Sequence, residues 1–151
     1  MNKSLTKNMG RIAEDFRQEM RKSLYESYLT ILRSGDCETQ YEAIERARRS
    51  CAPHFFTSSK NAAYVLNLMG KGMDHGLKNP DKVRKFLELK RMADEYKRNC
   101  KEYPGLLNVC REIVNEPAPE YYICYSTAKQ MILEERRRRM QEMMRWVKRD
   151  K

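Results

Sequence analysis

The sequence predicts an all-α protein of six helices, set out as two tandem three-helix repeats with a candidate helix-turn-helix in each and a long basic helix at the C-terminal end. Three observations predict this. Apolar residues recur at three- and four-residue steps almost throughout. Only 6 Gly and 5 Pro punctuate the 151 residues. Finally, a distinctive segment in the first half returns 66 residues later in the second.

The first helix carries Ile12, Phe16, Met20, Leu24, Tyr28, Ile31 and Leu32 on one face, and Gly35 stops it. Thr39 opens the second, with Glu42 completing a T-x-x-E capping box and Ala43, Ile44 and Ala47 on the buried side. Pro53 ends it, because the residue before a proline disfavours helical geometry. Ser58 or Ser59 caps the third, which buries Ala62, Val65, Leu66 and Met69. Gly70, Gly72 and Gly76 then break the chain. Asn79-Pro80 starts the fourth helix, with Val83, Phe86, Leu87, Met92 and Tyr96 as its apolar side. Pro104-Gly105 opens the fifth, with Leu106, Val109, Cys110, Ile113 and Val114, and Pro117 and Pro119 close it. The sixth begins near Ser126 and runs unbroken toward the end.

The two halves correspond without gaps. Ala52-Pro53-His54-Phe55-Phe56 aligns with Ala118-Pro119-Glu120-Tyr121-Tyr122. Ala43, Ile44 and Ala47 fall on Val109, Cys110 and Ile113, and Ala62, Val65 and Leu66 fall on Ala128, Met131 and Ile132. The expected organisation is a first repeat over 1–76, a second over 77–135 and a basic extension over 136–151.

The charge points to a polyanionic partner. The formal net charge is +10, and residues 136–151 supply +6 of it through eight basic and two acidic side chains. Arg136, Arg137, Arg138 and Arg139 occupy every side of one helical turn, so no buried stripe is expected to pass through them. Met140, Met143, Met144, Trp146 and Val147 follow at helical spacing. The last helix is therefore expected to project from the body with an apolar strip at its tip. Such an end can track phosphates, lie on an anionic membrane, dock on an acidic protein or pair with a second copy.

Double-stranded DNA is the expected partner. In a helix-turn-helix the second helix offers its first residues to the major groove. Ser59, Lys60 and Asn61 stand there in the first copy, and Lys129 and Gln130 in the second. Arg46, Arg48 and Arg49 precede the first turn and suit phosphates; Arg136 to Arg139, Arg145, Lys148 and Arg149 do so at the C-terminal end. The paired aromatics of the two turns either plug gaps in the core or stack on bases. The competing expectation is a virion component or adaptor that assembles through its long helices, a homo-oligomer formed through the last one.

No catalytic residue, metal site or cofactor is expected. His54 and His75 lack metal-ligand spacing, and neither a G-x-S-x-G elbow nor a phosphate-cradling glycine loop occurs. No apolar run nears the roughly 18 residues of a membrane span, and the first residues lack a signal-peptide core. Five cysteines without a C-x-x-C pair read as reduced, mostly packed thiols of a cytoplasmic protein.

The stretch from Tyr41 to Ser59, with its A-P-H-F-F turn, resembles segments of small basic, mostly uncharacterised proteins of bacteriophages and mobile elements in gut Bacteroidales. Pro117 to Ser126 is similar, but carries Glu120 where a basic residue would suit DNA better. The resemblance implies a bacterial host cell, where DNA binding and virion assembly are both ordinary roles.

Overall fold

The computed structural model describes residues 3–102 and 104–149, and the side chains of 14–102 and 104–148. It contains six helices: α1 (Lys3–Ser34), α2 (Gln40–Arg49), α3 (Ser59–Gly70), α4 (Pro80–Arg98), α5 (Leu106–Ile113) and α6 (Tyr125–Arg149). No strand forms among the described residues; Ala52 and Ala118 make an isolated antiparallel bridge.

Local chemistry sets the helix ends. Gly35 takes a φ of 73°, a left-handed value that glycine adopts without penalty, and α1 stops there. The Thr39 hydroxyl accepts from Glu42 N–H at 3.1 Å, while the Glu42 carboxylate accepts from Glu38 N–H at 3.2 Å. The expected capping box is thus only half formed, its return arm displaced by one residue. Ser58, not Ser59, caps α3 through Asn61 N–H, and Asn79 caps α4 through Asp81 N–H.

The helices pack in two groups, α1 with α2 and α6, and α3 with α4 and α5. These contacts run across residue 76: the third helix of each half lies on the first two helices of the other. One hydrophobic core nevertheless spans both groups, from Leu24, Ala43 and Ile44 through Phe55 and Phe86 to Val109, Ala128 and Ile132. On α4 the buried line is Phe86, Leu89 and Ala93, whereas Leu87 and Tyr96 are exposed. At about 100° per residue Leu87 points well away from the Phe86–Leu89–Ala93 line, so the expected face held for Phe86 and Met92 but not for Leu87 and Tyr96. Cys110 alone among the cysteines is buried; Cys51 and Cys124 are exposed, which corrects the expectation of mostly packed thiols.

The two groups are joined where segments 50–58 and 114–124 cross. Ala52 N–H donates to Ala118 C=O at 2.9 Å, and Ala118 N–H donates to Ala52 C=O at 3.0 Å. Phe55 N–H donates to Val114 C=O at 3.0 Å, and Tyr121 N–H to Arg48 C=O at 3.1 Å. Adding or subtracting 66 residues converts each bond of a pair into the other. The rings follow the same rule: Phe55 stacks on Tyr122 and Phe56 on Tyr121, both with centroids 6.2 Å apart. Tyr122 adopts a φ of 57°, a conformation costing a non-glycine residue about 1–2 kcal/mol. Its ring lies between Phe55 and the Arg84 guanidinium.

Replacing Ala118 by proline removes one donor of the reciprocal pair and strands the buried Ala52 carbonyl. The urea midpoint of A118P should fall by the equivalent of about 1–3 kcal/mol with the m-value unchanged. An unaltered midpoint would mean the crossing does not hold the two groups together.

Candidate nucleic-acid interface

The cations singled out from the sequence fall into three environments. Some serve the fold. Arg48 is turned inward, gripping Glu45 with two bonds of 2.8 Å and donating to Ile123 C=O at 3.2 Å. Arg138 and Arg139 turn back onto Glu135, whose side chain is 0% exposed, and Arg21 of α1 reaches the same carboxylate at 3.1 Å. Arg139 also meets Glu26 at 2.7 Å and lies over the Tyr25 ring. No buried stripe passes through the four arginines, as expected: the inward stripe ends just before them on an acid, Glu135, and two of the four neutralise it.

Others are exposed but engaged. Arg46 pairs with Glu42 and Arg49 with Glu45 along α2. Asn61 donates to Thr57 at 3.3 Å, and Gln130 to Glu134 at 3.2 Å. Ser59 is half-buried, and Lys60 is exposed with no acidic partner among the described residues; both lie on α3, in the other group from Lys129 and Gln130 on α6. Among the described residues α2 does not pack on α3, nor α5 on α6. A helix-turn-helix packs its two helices around a turn of about three or four residues, and here the intervening segments are the crossing itself.

The third set is free. Lys129, Arg136, Arg137, Arg145 and Lys148 are exposed, with no acidic partner among the described residues. They flank Leu133, Met140 and Met144 on the side of α6 turned away from α1. From Lys129 to Lys148 this surface runs about 28 Å at 1.5 Å per residue. Tyr125, in ring contact with Tyr41 at 4.6 Å, heads it. The Arg149 side chain lies outside the described residues.

The sequence reading missed the anchor of this helix. Arg17 meets Glu134 at 3.3 Å, Arg21 meets Glu135 and Arg139 meets Glu26, so α1 and α6 run in the same direction along a ladder of ion pairs. Burial pushes the Glu135 carboxyl upward, but hydrogen bonds from Arg138, Arg139 and Arg21 outweigh it, and its pKa falls from an ordinary 4.5 to about 2. Cys124, just before α6, was not singled out either. Its thiol lies 3.2 Å from the hydroxyls of Ser126 and Thr127, whose hydrogen bonds lower its pKa to about 7.

Among the described residues no three His, Cys, Asp or Glu side chains gather in a way that could hold a metal ion. No helix among them is long and apolar enough to cross a membrane. Comparison with known proteins found no matching family model, no similar curated sequence and no similar solved structure.

Two measurements check this geometry. Glu135→Gln removes the charge shared by three guanidiniums. At pH 7 it should cost about 2–3 kcal/mol, below the roughly 3–5 kcal/mol of a fully buried pair because the arginines reach solvent. A carboxylate with a depressed pKa contributes above its unfolded value, so the deficit should be full above pH 4.5 and close as pH falls toward 2. A deficit constant with pH would show that the pairs contribute nothing through charge. Separately, iodoacetamide should alkylate Cys124 first of the five cysteines at neutral pH, its rate rising through a midpoint near 7. If Cys124→Ser left the fast phase intact, the thiol would not be activated.

Proposed function

We propose that the protein binds duplex DNA without catalysing a reaction, through the outward face of α6. One observation carries this reading: Arg136, Arg137, Arg145 and Lys148 share one exposed helix surface, are unpaired among the described residues, and extend the line begun by Lys129. Elsewhere many of the arginines are matched to nearby acids. Unpaired cations along a straight helix suit a phosphate backbone, where neutralising each charge releases a counterion. The major groove is wide enough for a helix, and the Leu133–Met140–Met144 line can touch thymine methyl groups there. Cations gathered toward a helix C-terminus also complement its dipole.

The reading includes a duplicated three-helix unit. It is supported by crossing bonds that interchange under a 66-residue shift, and by burial of Ala43, Ile44, Ala47, Ala62, Val65 and Leu66 together with their counterparts. It does not use a helix-turn-helix. Phosphate contact is assigned to the free cations of α6, with Arg48, Arg138 and Arg139 holding the fold. A role as accessory to a phage or mobile element in a bacterial cytoplasm rests on the resemblance of the A-P-aromatic segments. A second reading, assembly or adaptor function, draws on the exposed Met143, Trp146 and Val147 at the tip.

The test is salt-dependent binding to short duplexes. A variant with Arg136, Arg137, Arg145 and Lys148 all changed to Gln should lose affinity for every sequence alike. Its slope of log K against log salt should shrink by about 3–4. Absence of any duplex retention at low salt would overturn the proposal.

A further inference from the structure

Among the described residues the last ion pair tying α6 to α1 is Arg139–Glu26. Beyond it Met140, Met143, Met144, Trp146 and Val147 are each at least half exposed, Trp146 at 61%. At about 100° per residue they cover an arc of about 160°. An arc that wide exceeds the narrow a/d seam on which two helices pair. Three of the five are methionines, whose flexible side chains suit an irregular or fluid partner. Arg137 and Lys148 border one edge of the arc, about 20° and 40° round from Met144, and Arg145 lies farther round. The single acid of the segment, Glu142, is bound by Arg138.

Charge selects among the occupants. Residues 136–148 hold six basic side chains and one acidic, a net +5. Pairing this segment with that of a second copy sets +5 against +5, its one acid, Glu142, already held by Arg138. Duplex DNA matches the charge but offers large apolar side chains little beyond thymine methyls. A bilayer containing anionic lipid offers phosphate and hydrocarbon at one surface. A helix with one wide apolar side and one cationic side lies in that interface, its tryptophan at the headgroup level. We infer that segment 140–148 is an interfacial anchor that docks the protein on an anionic lipid surface, lying in the plane of the membrane. This inference rests on the apolar arc together with cations that the DNA reading also uses, and the test below separates the two.

Trp146 is the sole tryptophan, so its fluorescence reports on the tip directly. The full chain is titrated with vesicles of phosphatidylglycerol mixed with phosphatidylcholine, with phosphatidylcholine vesicles alone, with a short duplex, and by self-dilution. The mixed vesicles should shift the emission to the blue and bind at least about tenfold better than neutral ones. Added salt should weaken binding. Changing Met143 and Met144 to Gln should abolish the shift while leaving the helical circular dichroism unchanged. No shift with mixed vesicles, or an equal shift with neutral ones, overturns the inference. So does a shift that grows with protein concentration alone, which assigns the tip to a second copy. A shift seen with duplex and not with vesicles assigns it to the nucleic-acid complex and overturns the inference too. Duplex binding without any spectral shift, alongside the vesicle response, supports both readings separately.

Discussion

Backbone satisfaction at the crossing of segments 50–58 and 114–124 is the constraint on which the rest of the molecule depends. The chain passes from one helix group to the other twice, each time burying an alanine, Ala52 or Ala118, between exposed neighbours. Extended backbone there has no helical partner for its N–H and C=O groups, and water cannot supply one. The two passages meet this need for each other, Ala52 with Ala118 and then Phe55 and Tyr121 with carbonyls left by α5 and α2. Pro53 and Pro119 hold the preceding alanines out of helical geometry. The alanines, each 1% exposed, are small enough for the two backbones to approach. The aromatic pairs just beyond fill the space around this contact, and Tyr121 ties it to α1 by hydrogen bonding Ser23 at 2.6 Å.

The crossing delivers α6 onto α1 and α2, and that placement decides what the basic end can do. Its inward stripe runs Ala128, Met131, Ile132 and then Glu135. In the other half the corresponding residue, 66 positions earlier, is Met69. A carboxylate in that place is tolerable only because three guanidiniums converge on it. Two of them, Arg138 and Arg139, come from the next turn of the same helix, at spacings that favour Glu-to-Arg pairing. The arginine run therefore divides. Arg138 and Arg139 are committed to the fold, and Arg136 and Arg137 are left facing outward.

Much of the fold was legible in single residues. The caps Ser58 and Asn79, the stop at Gly35 and the buried triads of α2, α3, α5 and α6 all follow from period and local chemistry. The exchange of α3 and α6 was not, because an apolar stripe records that a face is covered and never by which helix. On α4 a crowded apolar composition hid the true line: Leu87 and Tyr96 are as apolar as their neighbours, and only packing separates them from Leu89 and Ala93. The division of the arginine run was hidden for another reason. Four consecutive Cβ directions do cover every side of a helix, but an arginine stem can bend until its head meets a carboxylate a turn away. The missing clue was Glu135, an acid that continues the buried stripe of Ala128, Met131 and Ile132.

Helices α3 and α6 differ in length, 12 residues against 25. Both begin after a crossing and bury equivalent residues, but α3 ends at Gly70 while α6 continues from the corresponding Arg136 to Arg149. Whatever α3 does for the core is complete by Met69, so the continuation of α6 is not required by its packing. Past Arg139 the continuation meets no other helix through an ion pair among the described residues, and five large apolar side chains stand exposed on it. Exposed apolar surface concentrated in this way is unfavourable in water and marks a site of contact. The cations and the methionines must then be considered together: a partner that satisfies only the charge leaves the apolar arc in water, and one that satisfies only the arc leaves the cations unmatched. The surface of α6 up to Lys148 needs an anionic partner in either reading. What separates the readings is whether that partner also carries an apolar layer for Met143, Trp146 and Val147.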